Sequence, residues 1–340
     1  MSLIEIHDLN KHFRVLNRRE GLTGAIRDLF SGSYRTVKAV DGITYAIEAG
    51  EIVGYIGPNG AGKSTTIKMM TGILKPTSGI IQVNGLPPYE NRIRQAQVMG
   101  VVFGQRTQLW WDLPVIESFK ILKEIYKVDQ KSFDDHLGLF NELVGLKALY
   151  SQQVRTLSLG QRMLCDITAS FLHNPQVVFL DEPTIGLDIS VKAKMREVIK
   201  ELNRTRKTTI ILTTHDLGDV EALCQRIIII DKGKILYDGN VKRVNALFGA
   251  YRTIKVQILG FDASTEQTLR DQLHDHFGVD CGITIAENEE YWTDVTINQA
   301  RTPLSEVLSF VMSKFQVSDV RIVEISMEHV VQKVYDGALQ

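Results

Sequence analysis

The stretch Gly57-Pro58-Asn59-Gly60-Ala61-Gly62-Lys63-Ser64-Thr65 constrains this chain more than any other, because it satisfies the spacing G-x-x-x-x-G-K-[ST]. Glycines in that spacing let backbone N–H groups close around phosphate oxygens, a lysine reaches the outer phosphates, and a hydroxyl holds Mg²⁺. Glu51–Ile56 reads as a short buried strand before it, and Ser64–Met70 as the helix after it. Strand, loop and helix in that order aim a helix N-terminus, with unpaired amides and the positive dipole end, at the phosphates. The loop by itself establishes a nucleoside triphosphate site and leaves open what the nucleotide is for.

Two later stretches complete such a site. Val177-Val178-Phe179-Leu180-Asp181-Glu182 is an apolar strand ending in two carboxylates, which is how folds of this kind finish Mg²⁺ binding and place a base near the attacking water. Leu157-Ser158-Leu159-Gly160-Gln161-Arg162 opens an apolar-periodic helix expected to run to about Asn174, where Pro175 stops it. Ser158 is its natural N-cap, so this helix also offers an N-terminus to an anion. A loop, Pro183–Asp188, a long helix to about Arg206 and the strand Thr209–Thr214 follow, ending at His215.

At 340 residues the chain exceeds what one core normally organises, so two domains are expected. A formal charge of −1 provides no basic field to attract nucleic acid. Cys165, Cys224 and Cys281 are widely spaced without a C-x-x-C pair, which fits packing residues in a reducing compartment better than a metal cluster. The N-terminus alternates like a strand and lacks the apolar core of a secretory signal. The longest apolar runs, such as Ile227–Ile230, are far too short to cross a bilayer, so a membrane process would need another chain for the crossing.

Residues 1–15 and Val37–Tyr45 read as strands flanking an insert at 16–36. The insert carries Arg18, Arg19, Arg27 and Arg35, with Leu22, Ile26, Leu29 and Phe30 at helical spacing. Two readings of this basic amphipathic helix stand side by side: it rests on lipid headgroups or a partner, or it packs on its own domain. Beyond the strand Val98–Phe103 comes Leu109-Trp110-Trp111-Asp112-Leu113-Pro114, whose adjoining tryptophans suit an interface. Residues 115–150 read as helical throughout, with Ile116, Phe119, Leu122, Ile125 and Tyr126 as a buried stripe. Composition changes near Phe248-Gly249, after which the pattern strand 252–259, helix 264–277, strands 281–287 and 291–297, helix 303–315, strand 319–325 and terminal helix 327–338 predicts a ferredoxin-like domain.

The ordered set Gly57 to Thr65, Gln105, Leu157 to Gln161, Asp181-Glu182, Gly186-Leu187-Asp188 and His215 makes residues 1–248 resemble the nucleotide-binding subunits of ABC transporters. Phe103-Gly104-Gln105-Arg106-Thr107-Gln108-Leu109-Trp110-Trp111-Asp112-Leu113-Pro114 and the signature Leu-Ser-Leu-Gly-Gln-Arg look like bacterial subunits that pair with ABC-2-type permeases, several of them exporters. The resemblance implies an α/β fold: a P-loop NTPase of the ABC type, with a mixed sheet, helices and a helical subdomain at about 105–175, followed by a small α+β domain at 249–340.

It implies roles as well. Lys63 and the amides from Asn59 to Thr65 would cradle the β- and γ-phosphates of ATP, with Gly57, Pro58, Gly60, Ala61 and Gly62 shaping the loop. Ser64, Gln105 and, through water, Asp181 would complete the Mg²⁺ shell. Glu182 would activate the attacking water and His215 would sense the γ-phosphate. Adenine would stack on Phe13, with Tyr34 as the alternative. Ser158, Gly160 and Gln161 would bind the γ-phosphate of ATP held by a second copy, with Asp188 reaching across the same interface. Leu159 stands where the usual signature has a glycine, so a competent site with altered closure energy is expected. The expected partners are a second nucleotide-binding domain, identical in the simplest case, and permease subunits docked near Gln105 to Leu113 on the cytoplasmic face of the membrane. Against this stands a soluble ABC ATPase that works without a permease.

Overall fold

Ile4, Ile6 and Leu9 are fully buried between more exposed neighbours, which decides the face that the first strand turns to the core. The computed structural model describes residues 2–16, 34–104, 106–214, 216–244, 251–259, 263–278, 281–287, 292–323 and 334. In chain order, β1 (Ser2–Leu16), β2 (Tyr34–Glu48) and β3 (Ile52–Ile56) lead through the phosphate loop into α1 (Lys63–Met70). β4 (Ser78–Val83), α2 (Arg92–Ala96), β5 (Met99–Phe103), α3 (Val115–Tyr126), α4 (Gln130–Val144) and α5 (Leu159–Phe171) follow. Next come β6 (Val177–Asp181), α6 (Ile189–Arg206), β7 (Thr209–Thr213), α7 (Leu217–Leu223), β8 (Arg226–Asp231) and β9 (Lys234–Asn240).

These elements belong to a compact unit spanning Met1–Val241. One sheet has the order β5-β6-β7-β3-β8-β9, parallel from β5 to β8 with β9 antiparallel at its edge; a second, antiparallel sheet has the order β2-β1-β4. The strands of the parallel sheet are near-continuous apolar runs because both faces are covered. Ile67, Met69 and Met70 of α1 join β1, β2 and β3 residues in one core cluster, each such burial contributing about 2 kcal/mol. Tyr45 and Tyr55 sit 6.0 Å apart in it, and Tyr55 donates to Thr66 Oγ1 at 3.3 Å, so the helix that carries the phosphate loop is held on a packed base.

Three sequence readings are corrected here. The insert is shorter than 16–36, because Leu16 pairs with Tyr34 and Val15 with Arg35 at the end of the β1–β2 ladder; the rest of the insert lies outside the described residues. Residues 115–150 are not one helix. Lys127 takes a left-handed conformation, φ 55°, that ends α3, and Asp129 caps α4 by accepting from Ser132 N at 2.9 Å and Ser132 Oγ at 2.6 Å. That break turns Ile125 outward at 59% exposure, while Val115, Ser118, Phe119 and Leu122 form the buried face. Finally, α5 ends at Phe171, with Asn174 left-handed before Pro175.

A second compact unit spans Lys242–Gln340. Its described elements are β10 (Tyr251–Ile258), α8 (Ala263–Phe277), β11 (Ile283–Glu287), β12 (Trp292–Asn298), α9 (Leu304–Lys314) and β13 (Val317–Val323). The order β-α-β-β-α-β builds an antiparallel sheet β11-β12-β10-β13, with Ile254, Val256, Val295 and Ile297 packed against Leu269, Leu273, Val307 and Val311 of the helices. The terminal helix read at 327–338 lies outside the described residues apart from Val334, which is buried.

Candidate nucleotide-binding site

Gly62 has φ 111°, and a Cβ on it would stand 2.4 Å from Ala39 O, so the turn into α1 accepts no larger residue. It is also the N-cap, and it brings no side chain to close the helix. The helical ladder begins with Thr66 N–H to Gly62 O at 2.9 Å, which leaves the amides ahead of it outside the ladder at the positive end of the dipole. Lys63 is buried, and its ammonium donates to Gly57 O at 2.6 Å and Pro58 O at 3.1 Å, curling back over the loop it follows. Pro58 and Ala61 brace that loop through Ala61 N–H to Pro58 O at 3.2 Å, while Asn59 and Gly60 are exposed at its tip. Ser64 and Thr65 are half-buried in the first turn.

β3, β7 and β6 are parallel neighbours, so their carboxyl ends bring the loop, Thr213 and Asp181 to one edge of the sheet. Asp181 Oδ1 accepts from Thr213 Oγ1 at 2.6 Å and from Ser64 Oγ at 3.4 Å. A hydroxyl and a carboxylate so placed are hard oxygen donors of the kind Mg²⁺ takes, and the donor set fits that ion. Glu182 is held at φ 55°, a left-handed conformation costly for a residue with a Cβ and kept only where the surroundings enforce it. Its N–H is shared between Thr213 O at 3.1 Å and Thr213 Oγ1 at 3.0 Å. Gly104, at the end of β5, donates to Asp181 O at 2.8 Å, and a Cβ there would meet Asp181 O and Glu182 O at 2.7 Å each.

Ser64, Lys68, Phe103, Gly104, Asp181 and Glu182 line one cleft of about 570 Å³. Thr213 was not among the residues singled out from sequence, although its side chain orders both carboxylate residues. The signal lay in the register, which sets it directly beside Asp181. Gln105 and His215 lie outside the described residues. The chain just after His215 is held firmly: Asp216 is paired with Lys192 at 2.5 Å, and fully buried Asp219 with Arg196 at 2.5 Å. Thr184, in the loop after Glu182, donates to the same Asp219 carboxylate.

The helix at Ser158 is built differently. Ser158 Oγ accepts from Gln161 N at 3.3 Å, and Gln161 Oε1 accepts from Ser158 N at 2.9 Å, a reciprocal capping box. Both side chains act in it as acceptors, so the cap does not consume the Ser158 O–H or the Gln161 amide nitrogen as donors. Gly160 is buried, and a Cβ there would come within 2.9 Å of Val191 Cγ1 of α6. Leu159 lies over Gly186, where a Cβ would be 3.2 Å from Leu159 Cδ2. Asp188 caps α6, accepting from Val191 N at 2.9 Å and Ser190 Oγ at 2.8 Å, and the Val191 amide leads the contacts that hold its carboxyl below the usual range. In this chain Ser158, Gly160, Gln161 and Asp188 are joined to each other through α5 and α6, and they do not line the cleft of Asp181 and Glu182.

Phe13 lies within β1, paired with Val37, 37% exposed, with Lys11 Nζ 5.2 Å from its ring centre. Tyr34 opens β2 opposite Leu16 and is 66% exposed.

Comparison with known proteins bears on this geometry directly. Residues 40–185 match the family model described as ABC transporter. The chain is 32% identical over 210 residues, 62% of its length and 85% of the relative's, to the ABC transporter ATP-binding protein NatA of Bacillus subtilis (strain 168). It is 31% identical over 242 residues, 71% of its length and 77% of the relative's, to the linearmycin resistance ATP-binding protein LnrL of the same organism. The chain belongs to the ABC transporter family. It is one of that family's ATP-binding proteins, an ATPase. Solved ABC structures share the fold: a structure of the ATP binding subunit of an ABC transporter superposes with a TM-score of 0.60 at 24% identity, covering 73% of this chain and 94% of the other. The ATP-binding cassette MJ0796, in a dimeric post-hydrolysis state bound to ADP and Pi, superposes with a TM-score of 0.57 at 22% identity over 70% of this chain and 98% of the other.

Proposed function

We propose that this ABC ATP-binding subunit closes as a dimer around two ATP molecules and thereby drives a separate ABC-2-type permease in export. The observation that carries the reading is the division of the phosphate-binding groups within one chain. The loop, Lys63, Ser64, Asp181 and Glu182 share a cleft, while the Ser158 helix end offers donors that do not reach it. A second copy supplies the missing half.

In this reading the amides from Asn59 to Thr65 and the Lys63 ammonium hold the β- and γ-phosphates, and Phe13 stacks on adenine with Tyr34 as the alternative. Ser64, Gln105 and, through water, Asp181 hold Mg²⁺, which when bound neutralises charge on the phosphate oxygens. Glu182 accepts a proton from the attacking water, and its enforced backbone conformation aims the carboxylate before ATP arrives. His215 senses the γ-phosphate. Ser158 O–H, Gly160 N–H and Gln161 donate to the γ-phosphate of the partner's ATP, and Asp188 reaches across beside them.

Trp110 and Trp111, 39% and 49% exposed, offer the permease an aromatic surface. Docking there places the subunit on the cytoplasmic face of the membrane. The unit at Lys242–Gln340 serves a structural or dimer-stabilising role. The test is to express the chain with its neighbouring genes and fractionate the cells: membrane association that depends on the permease supports the reading. Recovery in the soluble fraction despite intact permease would favour an ABC ATPase that acts alone.

A further inference from the structure

Asp166 lies two turns into α5 beyond the Ser158 cap, is 4% exposed, and plays no part in the phosphate chemistry above. Its Oδ1 accepts from Thr107 Oγ1 at 2.8 Å and from Gln108 N at 3.0 Å, and its backbone oxygen accepts from Gln108 Nε2 at 2.9 Å. Thr107 Oγ1 in turn accepts from Leu109 N at 3.1 Å. Next along the chain, Trp110 N donates to Ser118 Oγ of α3 at 3.2 Å, Arg155 N donates to Trp111 O at 3.0 Å, and the Arg162 guanidinium of α5 stands 5.4 Å from the Trp111 ring centre. Apart from the Leu109–Thr107 bond, which stays within the segment, these bonds from Thr107–Trp111 go to the helical part of the unit. Gly104, three residues upstream, is bonded instead to Asp181 in the catalytic cleft.

We propose that Asp166 is a positioning residue that fastens Thr107–Trp111 to the signature helix α5, so that the exposed tryptophan pair follows that helix when ATP engages it. The inference rests on the dimer reading above and adds to it the residue through which nucleotide state reaches the docking surface. A buried carboxylate suits this role because one oxygen takes two donors, and charge-assisted bonds of this kind are shorter and stronger than neutral ones. Removing it leaves the Gln108 amide and the Thr107 hydroxyl without their acceptor, whereas Asn in its place offers the same Oδ1.

The test uses the full-length chain carrying Glu182→Gln to slow hydrolysis and Trp292→Phe, so that emission comes from Trp110 and Trp111. Mg·ATP is titrated while bound nucleotide is followed by displacement of a fluorescent ATP analogue, and tryptophan emission is recorded on the same sample. The expected result is an ATP-dependent emission change in the parent that falls at least threefold in Asp166→Ala and about twofold in Thr107→Val. Nucleotide affinity should stay within about threefold in both, and Asp166→Asn should restore the signal. An undiminished emission change in Asp166→Ala or, should that variant not fold, in Thr107→Val overturns the proposal. So does a parent that doubles its mass with Mg·ATP, by light scattering on the same sample, without any emission change, and so does a loss of affinity that matches the loss of signal. A parent that binds ATP yet keeps the mass of one chain overturns the dimer reading instead, so the two failures are distinguishable.

Discussion

Two helix N-termini in this molecule are assigned to phosphates, and their own chain treats them in opposite ways. α1 begins at Gly62, which supplies no cap, so its first amides stay outside the ladder beside Lys63 and the Asp181–Ser64 pair. α5 begins at Ser158 and is closed by a reciprocal bond with Gln161, and neither residue lines the cleft of Asp181 and Glu182. The first end is organised to hold a polyphosphate within one polypeptide. The second is self-sufficient as a helix cap yet keeps hydroxyl and amide donors in reserve, as expected of a surface that meets its anion only when another molecule brings it. On the proposed dimer reading, a complete site divides between rigid preorganisation in cis and a capped, docking end in trans.

Variants at the first end should have the largest effects. Glu182→Gln should slow turnover by about 10²-fold or more while leaving ATP affinity within about threefold, measured by phosphate release and equilibrium binding on one preparation. A variant that turns over normally would remove Glu182 from the chemistry. Lys63→Ala should instead weaken ATP binding itself, since it deletes the ammonium from the loop. Preserved affinity there would detach the curled lysine from the phosphates.

At the second end, effects should be smaller and separable. Burial pushes the Asp166 carboxyl up to about 6, with the bonds from Thr107 and Gln108 opposing that rise. A carboxyl whose folded value lies above its unfolded value costs stability when ionised; the cost is present above pH 6 and is relieved as pH falls through that value. Asp166→Asn removes the charge, so relative to the parent it should gain about 1.5 kcal/mol between pH 5 and pH 8 in denaturant titrations. A pH-independent difference would mean the carboxylate is better solvated than its burial indicates.

Gly160→Ala should cost about 1–3 kcal/mol through the clash with Val191, and Val191→Ala should recover part of it. That pair sharpens the reading of Gly160→Asp, which adds a charge opposed to phosphate: only a loss of ATPase activity far beyond that of Gly160→Ala speaks for a γ-phosphate at this end. Ser158→Ala should cost about 1 kcal/mol as a lost cap and should leave ATP binding to the first end unchanged. Trp110→Ala with Trp111→Ala should spare both ends and weaken only permease association; complexes that survive detergent would move the docking surface elsewhere.

The local geometry of the candidate site was legible because its signals are local. A glycine loop between a strand and a helix, an apolar strand ending in Asp181-Glu182, and a serine before a periodic helix each state their geometry within about ten residues. What escaped depends on neighbours distant in sequence. Thr213 matters because β7 lies in register beside β6, and Asp166 because α5 meets the turn at Thr107. The packing of Gly160 on Val191, which complicates a simple charge argument, likewise needs α5 and α6 side by side. The break at Lys127 was invisible because no glycine or proline marks it; a left-handed lysine and an aspartate cap end one helix and start the next. Arg35 looked like part of a basic helix until its pairing with Val15 put it on β2.

The division of the site between two copies is tested most directly by mass. Full-length Glu182→Gln at micromolar concentration is passed over a sizing column with light scattering, with and without Mg·ATP. The account predicts a shift from the 38.3 kDa of one chain to twice that value only when ATP is present, and loss of the shift on adding either Lys63→Ala or Gly160→Asp. A protein that stays at the mass of one chain with ATP bound, while the parent hydrolyses ATP at a rate per chain independent of its concentration, would contradict it.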